Sequence, residues 1–179
     1  MRADPTPSLI ARIDRSVLAV NRLLMIVALA TMSVIVFASV TIRYLTDYSI
    51  PWAEEVARYL MVWLTFLGVG PVLRLGGHVA VDTAQDGLPK NIGRAFRGLI
   101  MLLVGGFCAI TAWFGIAYVQ RTLAQTTAVT EISFAFVSAA VPLGFALAIW
   151  HLLAIVRDYV AERRFETSSD LNPDDAGAV

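Results

Sequence analysis

The sequence predicts an all-α integral membrane protein: four transmembrane helices, both termini cytoplasmic, and short amphipathic helices at the membrane interface. Three observations predict it. Of the 179 residues, 58% are hydrophobic and only 16% charged, and the mean hydropathy of +0.69 is well above that of a soluble domain of this size. Four apolar segments suffice to cross a hydrocarbon layer of about 30 Å at about 1.5 Å per residue. The basic residues flanking those segments are unequally divided between the two sides.

The first span is Leu23 to Ile42, twenty residues without a charge. It is too long for the apolar region of a signal peptide, and Phe37-Ala38-Ser39-Val40 makes a poor cleavage site, so an uncleaved helix is expected. Before it, Ile10, Ile13, Val17 and Val20 recur at helical spacing beside Arg12 and Arg15, which suits a helix on the membrane surface or an ordinary basic flank.

The second span poses a length problem. Tyr59 to Leu73 is only fifteen uncharged residues, and starting at Trp52 gives twenty-two but draws Glu54, Glu55 and Arg58 into the first turns. After the Gly87-Leu88-Pro89 turn, Lys90, Arg94 and Arg97 share one helical face and Ile92, Phe96 and Leu99 another, predicting a second interfacial helix or a docking face. Gly98 to Tyr118 and Ile132 to Val156 are the third and fourth spans. Residues 1–165 are thus read as a single four-helix membrane domain with spans at 23–42, 52–73, 98–118 and 132–156. The acidic 166–179 reads as a disordered tail.

Eleven of the fourteen basic residues fall before the first span, between the second and third, or after the fourth. Only Arg43, Arg58 and Arg121 lie in the other connections, which places both termini in the cytoplasm. Tyr44, Tyr48, Trp52 and Tyr118 would form the outer aromatic belt, and Trp150 and Tyr159 the inner one. Gly105 with Ala109, and Ala140, Gly144 and Ala148, are small residues at fourfold spacing that allow close helix approach. Pro71 and Pro142 should loosen or kink their helices.

Several function classes fall away. Zero formal net charge gives no reason to expect a nucleic-acid partner. The lone Cys108 excludes a disulfide framework, and no catalytic triad, acid pair or phosphate-cradling loop is present. The middle of each span offers only hydroxyls (Thr31, Ser33, Thr65, Thr111 and Ser138), which argues against a substrate pathway within this chain. His78 and His151 lie toward the same side, so a bis-histidine haem anchor is one alternative. An accessory four-helix subunit of another tripartite carboxylate transporter is a second.

Arg43 to Asp82, RYLTDYSIPWAEEVARYLMVWLTFLGVGPVLRLGGHVAVD, resembles the small membrane subunit, the DctQ type, of tripartite ATP-independent periplasmic (TRAP) transporters. The resemblance rests on Arg43-Tyr44, on Trp52-Ala53-Glu54-Glu55 with Arg58, on Phe66-Leu67-Gly68, and on Arg74, Gly77, His78, Val79 and Asp82. Gly70-Pro71 departs from the alanine-rich stretch usual there, a departure that bears on local helix shape. The resemblance implies a non-catalytic, cofactor-free, multi-pass subunit of the bacterial inner membrane. It would scaffold a large DctM-type membrane subunit holding the transport and sodium sites, and help receive a periplasmic DctP-type binding protein during sodium-driven uptake of organic acids.

Within that frame Trp52, Glu54, Glu55, Arg58, Tyr59, Arg74, His78 and Asp82 are candidates for a partner interface. Arg58 stands at i+4 from Glu54 and i+3 from Glu55, so one base serves two acids and one acid is spare. Glu55, on the face of Trp52 and Tyr59, is expected to meet a basic group of the large subunit, unless the cluster only sets helix depth. Arg74, His78 and Asp82 recur at fourfold spacing, but Gly76-Gly77 argues for a turn, with Asp82 pairing locally and His78 bonded at the interface.

Overall fold

From Leu9 to Thr46 the chain contains neither glycine nor proline, and nothing interrupts a helix there. In the computed structural model, which describes residues 9–75 and 89–162, this stretch is one 38-residue helix, α1 (Leu9–Thr46). Asp47 ends it in a left-handed conformation, φ 51°. At about 57 Å, α1 outruns the hydrocarbon layer, and the segment read as either a surface helix or a basic flank is continuous with the spanning helix as its first turns.

α2 (Pro51–Arg74) begins with proline at its first position, where the absent N–H costs nothing. The length argument that pulled Glu54 and Glu55 into the helix therefore holds. α3 (Lys90–Thr122) starts directly after Pro89 and likewise merges the basic amphipathic segment with the third span. α4 (Phe134–Ser138) is a five-residue helix capped by the Ser133 hydroxyl, and α5 (Ala140–Glu162) completes the fourth crossing. The single segment expected at 132–156 is divided at Ala139. Pro142 has no N–H for the Ser138 carbonyl, so the ladder is interrupted there. The four long helical segments are each apolar enough to cross a membrane. The 166–179 tail, His78 and Asp82 lie outside the described residues.

α5 is the central element: α2 and α3 pack along it, whereas α1 packs along α2. Leu73, Met101, Cys108, Phe145, Ala148, Leu152, Ile155 and Tyr159 form the core. Phe145 sits between Phe66 and Phe107, with ring centroids 5.9 and 5.8 Å away. Close approach depends on small residues. A Cβ at Gly144 would stand 2.6 Å from the Phe66 carbonyl oxygen, and Ala140 and Ala148 are buried beside it on α5. Gly105 faces Leu152 of α5, while Ala109 is exposed.

Pro71 has a second consequence. It cannot donate to the Leu67 carbonyl, and the side-chain amide of Asn21 on α1 fills that vacancy at 3.1 Å. A helix defect thus becomes an interhelical hydrogen bond.

Candidate functional site

The charged and polar side chains gather at the two ends of the bundle. One end carries the α1–α2 turn and the α3–α4 loop; the other carries the start of α1 and the end of α5.

At the loop end, Glu55 is buried, 2% exposed. The α3–α4 loop folds over it. The Thr127 N–H donates to the Ile132 carbonyl at 2.9 Å, and the Ile132 N–H donates to the Thr127 hydroxyl at 3.1 Å. Glu131 turns the chain with φ 54°. This geometry aims two successive amides at one carboxylate oxygen: Val129 N–H at 2.9 Å and Thr130 N–H at 3.1 Å. The Tyr59 hydroxyl donates to the other oxygen.

Glu55 is therefore a structural clamp between α2 and the loop, not the spare acid expected from helical spacing. Glu54 is exposed, as are Trp52 and Arg58. Among the described residues Arg58 makes no ion pair with either glutamate. Glu54 and Arg43 line a crevice of about 200 Å³ between the ends of α1 and α2. Glu55→Ala should accelerate amide exchange at Val129 and Thr130 by roughly tenfold while leaving the helices protected; hydrogen exchange read by mass spectrometry would check it.

At the other end Arg74, 1% exposed, closes α2. Its guanidinium grips Asp14 of α1 with both terminal nitrogens, one at 2.9 Å. Its Nε–H donates to His151 Nδ1 of α5 at 2.7 Å, and Trp150 Nε1–H donates to Asp14 at 3.1 Å. Since the arginine can only donate, Nδ1 must accept, and a neutral His151 carries its proton on Nε2. Among the described residues Nε2 is buried without a partner, in a ring packed so closely on Gly70 that a Cβ there would stand 2.2 Å from Cδ2. The glycine in the Gly70-Pro71 departure makes room for this histidine.

Of the sequence candidates the structure brings Glu55 and Tyr59 together and sets Trp52, Glu54 and Arg58 outward. It turns Arg74 inward, to helices α1 and α5. His151 Nδ1 is taken by Arg74, and Gly70 packs against the Cδ2 edge of the ring. Asp14 and Asn21 went unread. Their signal was position: they are seven residues apart, hence on one face of α1, and Leu18 and Ala28 of that stripe are buried. The span hydroxyls are largely backbone-bonded, Thr65 to Met61 and Thr111 to Phe107 at 2.8 Å each.

Residues 32–161 match the profile of the family described as "Tripartite ATP-independent periplasmic transporters, DctQ component". The chain belongs to the DctQ family. A Haemophilus influenzae protein provisionally named a TRAP transporter small permease protein is 40% identical over 67 residues, 37% of this chain and 42% of the relative, less than half its length. The ectoine TRAP transporter small permease protein TeaB of Halomonas elongata is 22% identical over 166 residues, 91% of this chain and 86% of that one. The sialic acid TRAP transporter permease protein SiaT of Haemophilus influenzae is 27% identical over 108 residues, 60% of this chain but 18% of SiaT. The DctQ-like region is thus a small part of a much longer permease in that relative. The family is one of transporter small permease subunits, not of enzymes, and the DctQ match covers both polar clusters apart from Asp14.

Proposed function

We propose that this DctQ chain is the non-catalytic small membrane subunit of a sodium-driven TRAP transporter for organic acids in a bacterial inner membrane. Its termini face the cytoplasm, it scaffolds a large DctM-type subunit, and its loop end helps receive the periplasmic DctP-type binding protein. The observation that carries the reading is the division of charge at the loop end. Glu55 is consumed inside the fold, whereas Glu54 and Arg58, one turn apart on α2, form an exposed patch of both signs, and Trp52 is exposed at the same end of the helix. Charge presented at the edge of a hydrocarbon layer is costly unless paired or hydrated, and a subunit contact supplies pairing.

SiaT supports the arrangement, because its DctQ-like region belongs to the same polypeptide as the rest of that permease. Ectoine and sialic acid, the solutes in the relatives' names, both carry a carboxylate. The patch contains both signs, so its partner should present a base to Glu54 and an acid to Arg58.

Co-purification tests the contact. With Glu54→Lys and Arg58→Glu together, recovery of the large subunit on the tagged chain should fall at least tenfold at low salt; undiminished recovery would overturn the patch as an interface. Proteoliposomes test the role: the large subunit with its binding protein should take up solute down a sodium gradient only when this chain is included. Full uptake without it would overturn the scaffold reading.

A further inference from the structure

A second feature of the fold lies away from both polar clusters. Because α2 and α3 each pack on α5 but scarcely on one another, a groove remains between them, floored by α5. It encloses about 470 Å³, the size of a small-molecule site. Val69 and Leu73 form one wall, Val104, Phe107 and Cys108 the other, and Phe145 the floor. The lining is almost wholly apolar and bulky.

Bulky walls decide the kind of occupant. Transmembrane helices approach one another through small residues, as Gly144 does against Phe66 in this molecule. Val, Leu and Phe side chains hold a second helix off but accept a flexible hydrocarbon chain.

One end of the groove also carries a fixed positive charge. Arg97 lies seven residues before Val104 and eleven before Cys108, hence on the same face of α3, about 10 Å along the axis from Val104. Its Nε and Nη2 donate to the Val160 carbonyl of α5 at 3.2 and 3.1 Å. That anchors the guanidinium at the margin of the apolar run beginning at Gly98. Nη1 remains unbonded among the described residues. An immobilised guanidinium with a spare N–H suits a phosphate oxygen, and the 10 Å offset suits the glycerol and first carbons of a lipid whose acyl chain then enters the groove.

We propose that the α2–α3 groove is a site for one glycerophospholipid of the leaflet at the termini end, its phosphate on Arg97 and one acyl chain against Val104, Cys108 and Phe145. The groove would thus be filled before the subunit meets any partner, with the lipid completing the packing between α2 and α3.

The test uses the full chain in bilayers containing a phospholipid with a mid-chain diazirine, alone and in complex with the large membrane subunit. Photolabelling should concentrate several-fold on Val104, Phe107 and Cys108 relative to the exposed, lipid-facing Leu102 and Phe114. Arg97→Gln should reduce groove labelling to the level at Leu102, and Arg97→Lys should partly retain it. Val104→Phe, which fills the groove and leaves Arg97 intact, should also reduce it, so the proposal does not rest on one variant's folding. Even labelling in the wild type, or groove labelling indifferent to Arg97→Gln and Val104→Phe, would overturn the site. Loss of labelling on adding the large subunit would assign the groove to a partner helix instead, and would equally overturn it.

Discussion

Asp14→Leu is expected to be the most damaging single polar substitution in this chain, with a loss of about 3 kcal/mol in reversible unfolding from micelles. Arg74 is fixed by the chain geometry: it ends α2, is 2% exposed at its side chain, and also serves His151. Removing the acid leaves a buried guanidinium without its carboxylate, and breaking such a pair costs far more than the pair contributes. The figure sits at the lower end of the usual range because Asp14 keeps 22% side-chain exposure, so water can partly replace it.

The double variant Asp14→Leu with Arg74→Met should recover much of the loss, since an apolar pair leaves no charge stranded. The site reports on itself: Trp150 donates to Asp14, so Trp150 emission should shift in Asp14→Leu, and amide exchange should rise in the first turns of α1, which packs chiefly along α2. An Asp14→Leu variant within 1 kcal/mol of wild type would show that the pair does not hold α1.

Why this network escaped the sequence, while the helices did not, follows from range. Spans were legible because hydropathy over twenty residues is a local sum, and α2 begins within a residue of where the length requirement put it. Charge partners are not local. Arg74 finds Asp14 sixty residues away and His151 seventy-seven away, and no i+3 or i+4 rule reaches that far. The same rule misled at Glu54 and Glu55: spacing permits an Arg58 contact, but adjacent helical residues diverge by about 100°. One glutamate must turn in if the other turns out, and which does so depends on a loop seventy-four residues away, shaped by Thr127, Thr130 and a left-handed Glu131. Asn21 was the most readable omission. Pro71 guarantees an unfilled carbonyl at Leu67, and a buried carbonyl in a membrane requires a donor from a neighbour. A lone amide in α1 was the available answer.

Gly144 should tolerate no larger residue, because its contact is with backbone. A Cβ there would stand 2.6 Å from Phe66 Cβ, 2.6 Å from its carbonyl oxygen and 2.8 Å from its carbonyl carbon. Two of those atoms are backbone, so no rotamer change relieves the clash and α2 must move off α5. Gly144→Ala is expected to cost about 3 kcal/mol, the upper part of the overpacking range, and Gly144→Leu to prevent assembly of α2 on α5. The other glycines separate this effect from a general intolerance of alanine. Gly105→Ala meets only the end of the Leu152 side chain, at 3.2 Å, which can rotate away, and Gly106→Ala meets nothing within 4 Å. Both should unfold within about 1 kcal/mol of wild type, with Gly106→Ala favoured by helix propensity. Because Phe145, the residue after Gly144, sits between Phe66 and Phe107, separating α2 from α5 would also open the groove toward Phe66. Gly144→Ala should therefore lose Phe66–Phe145 proximity, measured by crosslinking between cysteines placed at those positions, before it loses helix content. Equal stability across the three glycine variants would show that the α2–α5 contact has more slack than its geometry implies.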